Sequence, residues 1–397
     1  MKLEEDLIHK IEALKEGAFA LNDALALNPE VSGREFFSCE RICKFLEGCG
    51  IAVEKGFAGQ PTAFLGRVKE DASSPIRIAL LAEYDALPEI GHGCGHCASA
   101  SISALLAAAL SQREDIPPCT IHIIGTPDEE NYGAKAVMAD MGIFDGYSYA
   151  AMIHMGSGGM NAVKADLLAL APYLFRFKGR PAHASAYPWR GKNALNGAML
   201  MLHGVDMLRQ HVRPTSRIHA VIRQGGEAPN IVPEHAVVDI NLRSPDKAYL
   251  KELDRLVRDC GEGAARATQT KLEVERYAPA FDNMLHIPEG VALLREIYEE
   301  MGLPLAPDSM MQGSDAPAAS SDVGNVSFRC PAFQCMVSVS EEEVPMHTRE
   351  YAKLMTEEAT HRAIRQGAEI LGRMVARSLC QPQRIGKMRQ EFEELVK

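Results

Sequence analysis

Two short clusters of chemically competent side chains each follow an apolar run that is typical of a buried strand. The first is Gly91-His92-Gly93-Cys94-Gly95-His96-Cys97, which comes soon after the run 76–82. Open α/β sheets bind their ligands beyond the carboxyl ends of the strands, so this position favours function. Cys94 and His96 offer sulfur and imidazole nitrogen, which are good ligands for a borderline-soft divalent ion. The alternative is a glycine-rich turn that carries these groups incidentally.

Three adjacent carboxylates form the second cluster. Asp128, Glu129 and Glu130 follow the apolar run 120–125. Neighbouring negative charges raise one another's pKa, and a bound cation would resolve that conflict. One carboxylate would then bind the ion while its neighbour acts as a general base toward water. The alternative is an acidic first turn of a helix predicted over 130–141, which the helix dipole would stabilise.

Two histidines extend the pattern. His154 ends the apolar run 149–154, and His347 lies just before the last predicted helix. A histidine at a strand end is often structural, and His347 in isolation indicates little. However, three successive strand ends then present metal-competent groups at the same expected edge of one sheet. This coincidence favours a metal site.

Alternating strands and helices must position these groups. Apolar runs predict strands, and periodic runs predict the helices between and before them. The strands are 76–82, 120–125 and 149–154, and the helices are 3–27, 35–49, 99–112 and 130–141. Such alternation predicts a largely parallel sheet with helices on both faces.

From about residue 166 the pattern changes to alternating runs, which are typical of half-buried strands. These strands are 173–179, 216–223 and 236–243, accompanied by helices 192–210 and 247–267 and followed by helices 289–301 and 350–378. The sequence therefore predicts an α/β fold with two domains. A discontinuous catalytic domain of 1–167 and 285–397 has a mostly parallel sheet flanked by helices, and an α+β domain of 168–284 is inserted into it.

Composition restricts the class of protein. The 397 residues are 46% hydrophobic and carry a formal charge of −11, which excludes intrinsic disorder and disfavours nucleic acid or anionic lipid as a partner. We therefore expect a small-molecule substrate. The first 17 residues are acidic and amphipathic without an uninterrupted apolar core, so no signal peptide is expected. No later run approaches about 18 apolar residues, so no membrane span is expected. The ten scattered cysteines do not resemble a disulfide framework, which suggests the reducing cytoplasm.

Ordered motifs along nearly the whole chain resemble a known family. Residues 82–88 running into Gly93-Cys94-Gly95-His96, then Gly125-Thr126-Pro127-x-Glu129-Glu130, are similar to the metallopeptidases of aminoacylase, acetylornithine deacetylase and carboxypeptidase G. The similarity is greatest to their amidohydrolase branch of p-aminobenzoyl-glutamate hydrolases, auxin-conjugate hydrolases and aminoacylase-like dipeptidases. Further matching segments are 178–185, 191–195, 225–233 and 242–243.

The resemblance implies roles for individual residues. It implies a site for two divalent ions, zinc or manganese, with Glu129 as general base. It also implies a homodimer formed through the inserted lid domain, with His183 reaching a substrate across the interface to support the oxyanion. Asn230 and Arg243 match positions that hold polar groups of the substrate. The implied metal ligands are Cys94, His96, Glu130, His154 and His347.

The chain departs from the family pattern at two positions. Sister branches end the first strand with His-x-Asp, whereas this chain has Glu83-Tyr84-Asp85. That histidine ligand is therefore absent, as in the amidohydrolase branch, and we expect the ion to depend on Cys94 and His96. The residue after His96 is usually Asn or Asp in the amidohydrolase branch, but here it is Cys97, which leaves the choice of metal open. The segment 321–325 resembles a loop that faces the active site, without an assigned role.

These residues predict a metal-dependent amidohydrolase or peptidase that cleaves the amide bond of N-acyl or aminoacyl amino acids. One alternative is an inactive homologue that only binds metal or senses a ligand, since fold does not prove activity. The intact Glu129-Glu130 pair speaks against it. A second alternative is a cysteine hydrolase using Cys94 or Cys97 with His96, which leaves the carboxylates and His154 unexplained.

Overall fold

The computed structural model describes residues 2–307 and 319–397. Within them the chain forms two compact units. The first contains residues 2–166, 284–307 and 321–397, and the second contains residues 167–283 with 319–320.

Strands and helices alternate through most of the chain. The strands are β1 Ala52–Lys55, β2 Phe64–Lys69, β3 Arg77–Ala82, β4 Thr120–Gly125, β5 Tyr149–Gly156, β6 Ala169–Lys178, β7 Arg217–Gln224, β8 His235–Ser244, β9 Lys271–Glu275 and β10 Ala332–Ser338. The helices are α1 Lys2–Ala26, α2 Phe36–Gly48, α3 His96–Ser111, α4 Ala134–Asp140, α5 Ala194–Leu208, α6 Lys247–Thr268, α7 Pro288–Glu300, α8 Val323–Ser327, α9 Arg349–Leu354, α10 Glu358–Cys380 and α11 Pro382–Leu395.

The first unit is built on a six-stranded sheet of order β1-β2-β4-β3-β5-β10. Strands β4, β3, β5 and β10 are parallel, and β1 and β2 join the β4 side as antiparallel strands. The parallel pairs Ala82↔Gly125 and Leu80↔Ala151 place the carboxyl ends of β3, β4 and β5 at one edge of the sheet. The predicted mostly parallel α/β sheet is therefore confirmed.

Helix α3 runs through the middle of the first unit. It is rich in alanine and leucine, and all its residues except Ser111 are buried. Small side chains allow α1, α10 and β5 to pack closely against it. Because α3 begins at His96, a rigid, fully packed helix supports one of the candidate ligands.

The helix predicted over 130–141 begins later than expected. Gly133, at φ 80°, precedes the first helical residue Ala134. A turn closed by the Gly133 N–H donating to the Asp128 carbonyl, over 2.6 Å, occupies the preceding residues. Glu129 and Glu130 therefore lie in a turn rather than in the first turn of a helix, so the acidic-helix-start interpretation is wrong.

The single long helix predicted over 350–378 is also wrong, because α9 and α10 replace it, and α11 follows them. Side chains satisfy the carbonyls at the first break: the Thr360 hydroxyl donates to Leu354 over 2.7 Å, and Asn22 donates to Met355 over 2.6 Å. Pro382 starts α11, a position where its missing N–H costs nothing.

The second unit is a four-stranded antiparallel sheet of order β7-β8-β6-β9 with two helices. Tyr173, Phe175 and Phe177 alternate along β6 and belong to a core shared with α5 and α6. This matches the predicted α+β character of the segment. β7 lies at an edge of this sheet.

No helix in the described parts of the chain combines the length and the apolar character that a membrane crossing requires.

Candidate metal centre

Gly95 lies between Cys94 and His96 and immediately precedes α3, which begins at His96. Its φ of +77° lies in the left-handed region that favours glycine. A Cβ at this position would lie 2.7 Å from Met155 Cγ, so the turn also has no space for a side chain. The glycine thus sets the spacing of the two candidate ligands.

Cys94, His96 and Glu130 form the first group of candidate ligands. One ligand atom from each lies within 4.8 Å of the others, and all three side chains are at least largely buried. Asp85 holds two of these residues. Its Oδ1 lies 2.8 Å from His96 Nδ1, and its Oδ2 accepts the Glu130 backbone N–H over 2.9 Å.

The pairing with Asp85 determines which atom of His96 faces the candidate centre. Burial acts to raise the pKa of Asp85, but the charge and hydrogen bond of His96 outweigh it and hold that pKa below its ordinary value. The ionised carboxylate accepts the Nδ1–H, which leaves Nε2 of His96 for a ligand.

Glu83, His96 and His154 form a second group within the same 4.8 Å limit. Glu83 Oε2 lies 3.6 Å from His96 Nε2. The His154 Nδ1–H donates to the Met155 carbonyl over 2.9 Å, which leaves its Nε2 free for a ligand. His154 lies inside β5, two residues before its end, because the pairing of β5 with β10 continues to Gly156.

Sequence reasoning missed Glu83 as a candidate ligand. The available signal was its place in Glu83-Tyr84-Asp85, the position at which the family resemblance implies a histidine ligand in sister branches.

A third group contains Glu83, Glu129 and Asp322. The buried Lys135 ammonium lies between two of them, 2.7 Å from Glu83 Oε1 and 2.5 Å from Asp322 Oδ1. The backbone N–H of Lys135 also donates to Asp322 Oδ2 over 2.9 Å. This group therefore already contains a cation, and the segment 321–325 reaches the centre through Asp322.

The residues of the first two groups fit divalent ions. Among residues 2–307 and 319–397, His96 Nε2, Glu130 Oε1 and Glu83 Oε2 are buried without a hydrogen-bond partner. Buried polar atoms are normally satisfied, and divalent ions bound by the two groups would satisfy all three. Thiol, imidazole and carboxylate form a donor set suited to zinc, while the carboxylates also suit manganese.

Glu129 lies beside these groups with its side chain about nine-tenths buried and its Oε2 3.9 Å from His96 Nε2. Burial, and after it the charge of Glu83, raises the pKa of Glu129 well above its ordinary value. A carboxylate with a raised pKa is a stronger base and therefore better suited to accept a proton from water.

His347 reaches the same edge from the far end of the chain. Its backbone N–H donates to the Gly93 carbonyl over 3.0 Å, and its φ of 62° is left-handed. Its Nε2 lies 3.8 Å from Glu130 Oε2, but the side chain is 59% exposed. His347 is thus close to one candidate ligand without belonging to any of the three groups.

The other predicted site residues lie in the second unit. His183 and Asn230 are exposed on adjoining segments, joined by the Ala184 N–H donating to the Asn230 carbonyl over 3.0 Å. Arg243 is half-buried on β8, where it donates to the Ser320 hydroxyl over 2.9 Å. Burial lowers the pKa of Arg243.

The cysteines of the first cluster have different surroundings. Cys97, the second residue of α3, is fully buried in the hydrophobic core and belongs to none of the three groups. Burial raises the thiol pKa of both Cys97 and Cys94, and Glu130 adds to the effect at Cys94. A neutral, buried thiol is a poor nucleophile, which argues against the cysteine hydrolase.

Comparison with known proteins identifies the family. Residues 79–377 match the peptidase family M20/M25/M40. The chain belongs to this family. The resemblance seen in the sequence is thereby confirmed, and this M20 protein is a hydrolase acting on amide or peptide bonds rather than an inactive homologue.

Individual relatives span most of the M20 chain. The Xaa-Arg dipeptidase of Mus musculus is 30% identical over 397 residues, covering 97% of this chain and 90% of the relative. One of the p-aminobenzoyl-glutamate hydrolase subunits of Escherichia coli is 28% identical, with coverage of 85% and 84%. A dinuclear metal-binding M20 peptidase from Bacillus subtilis has a TM-score of 0.67 at 16% identity, with coverage of 93% and 99%.

Proposed function

We propose that this M20 hydrolase is a metal-dependent enzyme that cleaves the amide bond of dipeptides or N-acyl amino acids and releases an amino acid with a free carboxylate. Its two ions, zinc or manganese, would be bound by Cys94, His96, Glu130, His154 and His347. The observation that carries this proposal is the buried group of Cys94, His96 and Glu130 directly beside Glu129.

Different residues of the chain carry out proton transfer and stabilisation of the oxyanion in the proposed reaction. Divalent ions, when bound, make a water molecule acidic and polarise the scissile carbonyl. Glu129 accepts the proton of the attacking water and delivers it to the leaving nitrogen. His183 of the inserted unit donates to the developing oxyanion.

Substrate recognition is assigned to the second unit. Arg243 binds the substrate carboxylate through two parallel hydrogen bonds, which its planar guanidinium favours. Asn230 holds a neighbouring polar group. The full-length similarity to an Xaa-Arg dipeptidase supports dipeptides as the first substrates to test, and p-aminobenzoyl-glutamate is the second class.

We further infer that the protein is a homodimer formed through the second unit. β7 is an edge strand, and an edge strand offers unpaired backbone groups to a second copy. Its Val221 is 56% exposed, and Met199 and Met207 of α5 are also exposed. Light scattering should give twice the chain mass for the wild type and a monomer for Val221→Lys; a monomeric wild type would contradict the dimer.

The free thiols of all ten cysteines support a reducing compartment, which we propose to be the cytoplasm.

A panel assay tests the proposed activity. The metal-loaded protein is incubated with dipeptides ending in different amino acids, N-acyl amino acids and p-aminobenzoyl-glutamate, with and without a chelator, and free amino acid is measured. We expect release that stops on chelation and returns when zinc or manganese is restored. Release unaffected by removal of all bound metal would contradict the metal-dependent mechanism.

A further inference from the structure

The two carboxylate oxygens of Glu83 face different partners. Oε1 lies 2.7 Å from the Lys135 ammonium, and Oε2 lies 3.6 Å from His96 Nε2. The side chain is 1% exposed, so both oxygens are shielded from bulk solvent. Glu83 is therefore held with one oxygen on a fixed cation and the other toward the candidate metal centre.

His96 can bind only one of the two ions, which limits how the candidate ligands are divided between them. Its Nδ1 donates to Asp85, so only Nε2 is available, and one imidazole nitrogen binds one ion. His96 nevertheless belongs to two groups, one with Cys94 and Glu130 and one with Glu83 and His154. When two ions are bound, His96 serves only one of them.

The ion bound by His96 and His154 then needs a further ligand. Two neutral imidazoles leave the charge of a divalent ion uncompensated in a buried place, which favours an anionic third ligand. Glu83 Oε2 lies within 4.8 Å of the ligand nitrogens of both histidines. Cys94 and Glu130 remain for the other ion, with His347 3.8 Å from Glu130.

We propose that Glu83 is a ligand of the ion that His96 and His154 bind, and that Lys135, fixed by Asp322, is the positioning residue that orients it. The inference rests on the proposed metal centre and adds two residues to it. It also gives the segment 321–325 a role, because Asp322 receives both the ammonium and the backbone N–H of Lys135.

The same arrangement limits the number of ions. The carboxylates of Glu83, Glu129 and Asp322 have the spacing of a third metal group, but the Lys135 ammonium pairs with two of them. A buried cation and a divalent ion in the same group would repel each other strongly. The centre therefore binds two ions and not three.

Cobalt titration tests the proposal, because a cobalt–thiolate absorption band reports the Cys94 ion separately from total binding. The full-length protein is stripped of metal, titrated with Co²⁺ and analysed for bound metal. The variants are Glu83→Gln and Lys135→Met, and their matched controls are Glu252→Gln and Lys251→Met on the exposed surface of α6. Circular dichroism establishes that each variant is folded.

We expect two ions in the wild type and in both controls. Glu83→Gln should keep the thiolate band and weaken the second ion at least tenfold, and Lys135→Met should weaken the same ion by about 10–100-fold, as loss of supporting partners does. If Glu83→Gln does not fold, Glu83→Asp, which keeps the charge on a shorter side chain, should show the same selective weakening.

Folded Glu83 variants that bind both ions as tightly as the wild type would overturn the inference while leaving the proposed function intact. Loss of the thiolate band in Glu83→Gln, with the second ion retained, would also overturn it. A wild type that binds no divalent ion would instead refute the proposed function itself.

Discussion

Asp85 lies between two loops of the candidate centre, with Oδ1 2.8 Å from His96 Nδ1 and Oδ2 2.9 Å from the Glu130 backbone nitrogen. One buried carboxylate thus orients a ligand from each of the two sequence clusters. Outer partners of this kind orient metal ligands and raise their basicity.

Replacing Asp85 by Asn should therefore weaken metal binding. The amide removes the charge that supports His96 and places an N–H₂ group near one of the two donors. We expect affinity for zinc to fall by about 10–100-fold with the fold retained. Metal titration of Asp85→Asn against Asp140→Asn, an exposed position at the end of α4, measures the effect. Equal affinities of the two variants would show that Asp85 does not support the metal ligands.

Cys94 should determine metal preference. Sulfur is a soft ligand that favours zinc, whereas manganese prefers oxygen. Cys94→Ser should therefore weaken zinc binding at least tenfold more than manganese binding, as measured by competition titration with each ion. A loss of the same factor for both ions would show that the thiol does not determine the metal preference.

Gly95 should tolerate no side chain. Gly95→Ala would combine a left-handed backbone with a contact 2.7 Å from Met155, at a cost of about 1–3 kcal/mol. We expect a lower thermal midpoint together with weaker metal binding. Gly48→Ala is the control, because a Cβ there meets no atom within 4 Å, and it should leave stability unchanged or slightly raised.

Glu35 should make stability fall with rising pH. It is buried, and its Oε1 accepts the N–H groups of Gly33 and Asp128 over 2.7 and 2.9 Å. Burial raises its pKa from 4.5 to about 7. Because the folded state binds the proton more tightly, this contribution to stability is complete below pH 4.5 and is lost as the pH rises through about 7.

Glu35→Gln removes that titration. Urea unfolding of the metal-free protein should show the variant gaining stability relative to the wild type between pH 5 and 8, by on the order of 2 kcal/mol. A difference between variant and wild type that does not change with pH would show that Glu35 does not titrate in this range.

Local pattern predicted the elements that carry the site. The strand 120–125 agrees with β4, since a short apolar run between turn residues has few alternatives. Cys94 and His96 are close in sequence, and the parallel order of β3 and β4 brings Glu130 to the same edge. These relationships follow from periodicity and from the geometry of parallel sheets.

Contacts between distant segments could not be predicted in this way. Lys135 and Asp322 are 187 residues apart, and a lysine near the start of a helix is ordinarily exposed. The break before α10 depends on Asn22 bonding to Met355, across 333 residues. From sequence alone, Glu83 is one carboxylate directly after a strand. Its proposed role as a metal ligand depends on the contact with Lys135, which local pattern does not predict.

The central claim is that Glu129 transfers a proton from the attacking water to the leaving nitrogen, while other residues bind the metal ions. The most direct test compares Glu129→Gln with the wild type in one experiment, measuring bound metal by elemental analysis and release of free amino acid from the best substrate of the panel. We predict unchanged metal content with turnover reduced to background. A Glu129→Gln variant that keeps its metal and turns over at a rate near that of the wild type would contradict the claim.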